Sequence, residues 1–173
     1  RPTRKNHSPR SKLRVRLNKS GAKPKSRQHN LDTLTQHINT LADHLLQMGE
    51  TRRIVAITGA PASGKSTLAS ELARRLTAQR HTAVVVPMDG FHLDNAVLAD
   101  MGLGPRKGAP ETFDADGFIR LIRALKSERD VYAPKFDRAR DLSIGGAVAI
   151  PAATQFVIVE GNYLMLDEDP WRD

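Results

Sequence analysis

No cysteine occurs anywhere in the 173 residues, which excludes disulfides and thiolate metal sites. Nor does any apolar run approach the ~20 residues that span a bilayer, so a soluble, cytoplasmic protein is expected. Histidine is scarce. The six present (His7, His29, His37, His44, His81, His92) include no His-x-x-x-His pair, which argues against a structural metal. Acidic residues are absent from the first 30 positions, which hold 11 of the 27 Lys and Arg. Beyond them, 16 basic side chains face 19 acidic ones, a net −3. The formal charge of +8 therefore belongs to the N-terminal segment and not to the rest of the chain.

That segment, RPTRKNHSPRSKLRVRLNKSGAKPKSRQHN, is poor in apolar residues and rich in Pro, Ser, Lys and Arg. Such a composition cannot bury enough surface to offset its ordering entropy, so residues 1–30 are expected to form a disordered basic extension. It reads as a solvated extension, as an organelle-targeting peptide, or as an arm for nucleic acid. Residues 31–173 have the size and the 39% hydrophobic content of one domain with a real core.

Along that domain, apolar residues at three- and four-residue spacing predict a helix from Asn30 as N-cap to Gly49. Its stripe is Leu31, Leu34, Ile38, Leu41, Leu45 and Met48, and it serves core packing. "RRIVAIT" predicts a short buried strand, followed by a loop and a helix from about Lys65 to Gln79. Thr82 to Pro87 is β-branched and uninterrupted, as parallel strands covered on both faces tend to be. A short helix at 93–101, a loop at "GLGPRKGAPE" and a helix from Asp114 or Ala115 come next. "VYAPKFD" and "LSIGGAVAIP" predict two strands around a turn, and "TQFVIVEG" a further buried strand ending near Glu160. Alternating strands and helices of this kind predict an α/β fold with a doubly wound parallel sheet and helices on both faces.

Between the first strand and its helix lies Gly59-Ala60-Pro61-Ala62-Ser63-Gly64-Lys65-Ser66, followed by Thr67. It fits G-x-x-x-x-G-K-[ST] without a mismatch and in the required context. Glycines let the backbone curl so that successive N–H groups point at phosphate oxygens, and the following helix adds the positive end of its dipole. Lys65 can reach the β- and γ-phosphates, and the Ser66 hydroxyl can ligate Mg²⁺. A P-loop NTPase fold and the cofactors ATP and Mg²⁺ follow.

Two other strands deliver acids to the same end of the sheet, where ligands of open α/β folds sit. Asp89 follows "VVVPM" and suits a general base that takes a proton from a hydroxyl; the alternative is a helix cap. Glu160 closes "FVIVE" and suits Mg²⁺ or its bound water; the alternative is a turn residue. His92 is either a second catalytic group or a hydrogen-bonding neighbour of Asp89. Arg106 and Lys107 read as an anion clamp or as a solvated loop pair, and Tyr163 and Trp171 as packing aromatics.

The motifs "GAPASGKST", "MDGFHLDNAVL", "RKGAPETFDADGF", "APKFD" and "VIVEGNYLML", in this order, resemble the phosphoribulokinase/uridine kinase superfamily of P-loop kinases. The resemblance runs from Arg52 to Leu166 and is strongest to its pantothenate-kinase-like and nucleoside- or sugar-kinase-like members. It implies phosphate binding by Gly59 to Thr67, catalysis by Lys65 and Asp89, and metal binding by Ser66 and Glu160. It further implies an acceptor pocket drawing on Asp89, His92, Arg106, Lys107, Glu111, Phe136 and Asp137, with Asp114 in the same segment. The implied activity is ATP-dependent transfer of the γ-phosphoryl group to a hydroxyl of a small metabolite that is a nucleoside, pantothenate or sugar-like. After Asp137 the chain reads "RARDLS", without the His and Arg of uridine kinases, and pantothenate kinases lack "EGNYLML". The acceptor is therefore not named by the resemblance. The competing reading is a P-loop ATPase or regulatory nucleotide-binding protein whose basic arm contacts nucleic acid.

Only 13 residues follow Glu160, with Arg172 their one arginine. The arginine-bearing lid and later strands that the resemblance implies do not fit there. The expectation is an N-terminal part of a kinase domain, incomplete at its C-terminus, with little turnover and a sheet edge open to homodimerisation.

Overall fold

The computed structural model describes residues 13–17, 27–48, 51–127 and 129–172, with side chains from residue 35 onward. Four parallel strands form the main sheet: β1 (Leu13–Leu17), β2 (Arg53–Gly59), β3 (Ala83–Pro87) and β6 (Phe156–Gly161). Their spatial order is β1-β2-β6-β3, so the last strand in sequence fills the slot between β2 and β3. The helices are α1 (Arg27–Leu46), α2 (Lys65–Ala78), α3 (Asn95–Asp100) and α4 (Ala115–Ala124). An antiparallel hairpin, β4 (Val131–Asp137) with β5 (Leu142–Ile150), forms a second, two-stranded sheet.

Every residue of β6 is buried, which is what an unbroken "FVIVEG" requires of its surroundings. Successive side chains of a strand face opposite sides. Phe156 and Ile158 join Val55, Ile57, Leu68, Leu72 and Leu76 in a core closed by Ile38, Ala42 and Leu45 of α1. Val157 and Val159 face the other core, with Val86, Met88, Phe91, Phe113, Phe118, Leu121 and Trp171. The two cores make this a helix–sheet–helix sandwich, the doubly wound α/β arrangement expected of the sequence.

The described part of α1's predicted stripe packs inward, with Ala42 added to it; the side chains of Leu31 and Leu34 lie outside the described residues. Two expectations need correction. The helix begins at Arg27 and not after Asn30, because "RQHN" contains good helix formers and no breaker. And residues 13–17, placed within a disordered extension, form β1, parallel to β2 in the register Leu13↔Val55 to Leu17↔Gly59. "LRVRL" alternates apolar and basic residues, a strand pattern whose backbone groups are satisfied once β2 offers an edge. Residues 1–12 and 18–26 lie outside the described residues.

Among the described residues no helix is long and apolar enough to cross a membrane.

Candidate active site

Register sets the site. Glu160 pairs with Ile57 of β2 on one side and with Pro87 of β3 on the other. The three strands therefore end level. Two residues beyond Ile57 the chain reaches Gly59, and two beyond Pro87 it reaches Asp89.

The loop after β2 turns on two residues with positive φ, Ala62 (57°) and Gly64 (89°). The αL conformation suits Gly64, which carries no Cβ. Among the described residues no side chain caps the first turn of α2, so its leading N–H groups stay open to a ligand. Lys65 is buried, and its Nζ donates to the carbonyl oxygen of Ala60 at 2.9 Å. The Ser63 hydroxyl is buried without a hydrogen-bond partner among the described residues, although a buried polar atom ordinarily has one. Such an atom, inside a curl of backbone donors, fits a phosphate-bearing ligand.

Ser66 Oγ donates to Glu160 Oε1 at 3.0 Å. Phe156 and Ile158 face α2, and by alternation so does Glu160, which carries its carboxylate to the start of that helix. Burial pushes the Glu160 carboxyl above the usual carboxylate range. Asp89 pushes the same way, while the Ser66 hydrogen bond and the charges of Lys65 and Arg138 oppose it. Among the described residues no cluster of three or more His, Asp or Glu could hold a metal by itself. A hydroxyl and one carboxylate are instead a hard-oxygen set of the kind Mg²⁺ shares with phosphates and water.

Asp89 sits in a 3₁₀ turn (Met88–Phe91) that follows β3 directly. Arg138, at the start of the β4–β5 turn, donates from Nη2 to Asp89 Oδ2 at 2.6 Å. The turn and the hairpin approach so closely at Gly90 that a Cβ there would lie 2.7 Å from the carbonyl carbon of Pro134. His92 closes the 3₁₀ turn, its Nδ1 2.9 Å from the Asp89 carbonyl oxygen. Its ring is sandwiched between Phe113 (centroids 4.0 Å apart) and Phe136 (4.8 Å).

The other expected acceptor residues are engaged by partners within the chain. Arg106 pairs with Glu111 at 2.6 Å. Lys107 Nζ lies over the Phe136 ring and contacts Asn95 Oδ1 (2.6 Å), the Asp141 carbonyl oxygen (3.0 Å) and Asp141 Oδ2 (2.9 Å). That ammonium, with help from Asn95, holds Asp141 below its usual range. Asp137 Oδ1 accepts from the backbone N–H groups of Ala139 and Arg140, so its side chain shapes the hairpin turn. Asp114 caps α4, accepting from Gly117 N at 2.7 Å. Tyr163 and Trp171 pack in the core as expected, and the Tyr163 hydroxyl also donates to the Gly108 carbonyl oxygen at 2.6 Å.

The fold thus gathers Lys65, Ser66, Glu160 and Asp89 at one end of the sheet, with His92 and Phe136 beside them. Sequence reasoning missed Arg138, 49 residues from its partner, and the Asn95–Lys107–Asp141 cluster. The arginine directly after "APKFD" was the available signal.

A P-loop at the end of β2, facing an acid at the end of the adjacent β6, defines a P-loop nucleotide-binding protein. The family described as Chromatin associated protein KTI12 matches residues 52–101. The provisionally named uridine kinase C227.14 of Schizosaccharomyces pombe is 38% identical over 131 residues, 70% of this chain and 55% of that protein. The pantothenate kinase of Enterococcus faecalis is 36% identical over 117 residues, 65% of this chain and 38% of that protein. A crystal structure from Silicibacter sp. TM1040, provisionally named a fructose transport system kinase, superposes with a TM-score of 0.73 at 51% identity. That match covers 79% of this chain and 68% of the other. The chain belongs to the uridine/pantothenate-kinase-like family of P-loop kinases. It spans only about half, or less, of the two kinases matched by sequence.

Proposed function

We propose that this chain carries the core of an ATP-dependent kinase that phosphorylates a hydroxyl group of a small metabolite. The observation that supports this most is the level ending of β2, β6 and β3, which sets Lys65 and Ser66, Glu160 and Asp89 around one space. In this reading the Gly59–Thr67 backbone and Lys65 hold the triphosphate of ATP. Ser66 and Glu160 hold Mg²⁺, which supplies positive charge against the phosphates. Asp89 orients the acceptor hydroxyl and takes its proton as the new O–P bond forms, while the bond to the β-phosphate oxygen breaks and ADP leaves. Arg138 keeps the Asp89 carboxylate in place. The names of the relatives, which speak of uridine, pantothenate and a fructose transport system, point to the same class of acceptor.

ADP release from Mg-ATP, with and without nucleosides, ketohexoses, pantothenate or glycerate, tests this. Stimulation of about tenfold or more by one metabolite, lost in Asp89→Asn, is expected. Hydrolysis indifferent to every metabolite but stimulated by nucleic acid would instead make the chain a nucleic-acid-linked ATPase.

A further inference from the structure

The partner of Asp89 stands on a turn, so the position of that turn matters to the site. Arg138, which meets Asp89 Oδ2 at 2.6 Å, opens the four-residue turn between β4 and β5. It is 79% exposed, and an ion pair so open to water fixes no geometry by itself. The aim of the Asp89 carboxylate therefore depends on what anchors the turn.

Within the turn, Asp137 Oδ1 accepts from the N–H groups of Ala139 and Arg140, which sets its shape. Asp141 closes it at φ +55°, a left-handed conformation that aspartate and asparagine adopt more readily than other side chains. Shape alone does not hold the turn against its neighbours. Two side chains do. Asn95, the first residue of α3, donates from Nδ2 to the Asp141 carbonyl oxygen (3.3 Å) and to Asp141 Oδ2 (3.0 Å). Lys107, just after a 3₁₀ turn (Gly104–Arg106), brings Nζ to Asn95 Oδ1 (2.6 Å), the Asp141 carbonyl oxygen (3.0 Å) and Asp141 Oδ2 (2.9 Å). An ammonium has three N–H donors, and these three oxygens use them all. The Lys107 side chain is only 18% exposed and its charge lies over the Phe136 ring. An anionic ligand at Lys107 would first have to displace Asp141.

Resting on the kinase reading above, we infer that Lys107 is a positioning residue and not an acceptor ligand: with Asn95 it latches the β4–β5 turn at Asp141, and the latched turn keeps Arg138 on Asp89. Without the latch the turn is free to shift, Arg138 moves with it, and the Asp89 carboxylate loses the contact that orients it.

Limited trypsin digestion of the full chain, read by mass spectrometry, tests the latch without any acceptor. Arg138 and Arg140 are 79% and 72% exposed, so it is the anchored backbone that protects the turn. Lys107→Met and Asp141→Asn, the latter compatible with the left-handed φ, should each speed cutting after these arginines about threefold or more. Cutting after Arg80, in the turn that follows α2, should stay at the parent's rate. The second measurement is kcat and KM with Mg-ATP and whichever of uridine, fructose and pantothenate the parent phosphorylates. Both variants should lower kcat by about 3- to 30-fold, with KM for each substrate within about twofold of the parent. The double variant should be no slower than Lys107→Met, because the two side chains act as one unit. Unchanged cutting in the turn overturns the inference. So does cutting that rises equally at Arg80, which would make Lys107 a general stabiliser. A raised acceptor KM in Lys107→Met with a lowered one in Asp141→Asn overturns it too, since freeing a clamp improves binding. A parent that phosphorylates none of the three compounds counts against the kinase reading, and the digestion still decides the latch.

Discussion

Replacing Arg52 should destabilise this protein more than its place in the sequence suggests. The residue stands just before β2, outside every motif, and its guanidinium reaches five carbonyl oxygens. Nε donates to Thr154 (3.1 Å), Nη1 to Leu125 (3.4 Å) and Ser127 (3.3 Å), and Nη2 to Pro151 (2.6 Å) and Ala152 (2.8 Å). Five donors meet five acceptors, the full capacity of a guanidinium. Leu125 is the C-cap of α4 and Ser127 follows it, so the charge also sits at the negative end of that helix. Arg52 thereby ties the entry to β2, the end of α4 and the turn before β6 together. A hydrogen bond to a charged group contributes about 1.5–3 kcal/mol, but Arg52 is only half-buried and carbonyls at the surface regain water. We therefore expect Arg52→Met to cost about 2–4 kcal/mol rather than five times the single-bond value. At about 2–4 °C per kcal/mol for a chain of this size, Tm should fall by about 4–16 °C. Arg52→Lys keeps the charge but has three donors on a point rather than a fork, and should lose roughly half as much. Thermal melts followed by circular dichroism, with the urea midpoint as a second probe, measure both. Parent-like melting of both variants, within about 1 °C, would refute the reasoning, since a shift that small is under ~0.5 kcal/mol.

Further expectations concern the site itself. Glu160→Gln should raise Tm at pH 8 in the absence of nucleotide, because burial raises the folded-state pKa of Glu160 above its unfolded value. The stability tied to its protonated form is complete at low pH and is lost as pH rises through the folded value, so the gain should vanish toward pH ~4; a variant less stable at pH 8 would contradict this. Gly90→Ala should cost about 1–3 kcal/mol by overpacking against Pro134 and Lys135, and lower turnover on the order of 10²-fold by moving Asp89. Its ATP affinity should stay at the parent's level in calorimetry. Lys65→Ala should abolish measurable Mg-ATP binding, and parent-like affinity would undo the loop assignment. Asp89→Asn should keep nucleotide affinity while turnover falls by about 10²- to 10⁴-fold, and near-normal phosphorylation would place the base elsewhere.

Much of the fold was legible one element at a time. The unbroken apolar runs of β3 and β6, the turn-flanked pair β4 and β5, and the spacing of Ile38, Leu41 and Leu45 are local signals. Residues of one strand or helix face answer to the same neighbour, so their pattern survives without knowledge of that neighbour. β1 was missed because five alternating residues inside a basic, Pro-containing segment carry little signal until an edge is available to pair with. The start of α1 was missed for a milder reason: Asn30 looks like a cap, but nothing in "RQHN" prevents another turn.

The phosphate loop was determined by the sequence alone, since a contiguous backbone curl needs only its own glycines, lysine and hydroxyl to be recognisable. The acids at two strand ends were visible as well, though not their neighbours. Only the tertiary structure decided that β6 lies between β2 and β3, which levels Glu160 with the loop and with Asp89. It alone decided that Arg138 meets Asp89 and that Lys107 is already surrounded by Asn95 and Asp141. Strand order and ion pairing join residues dozens of positions apart, and they depend on which surfaces the whole chain buries together, a quantity no local pattern encodes.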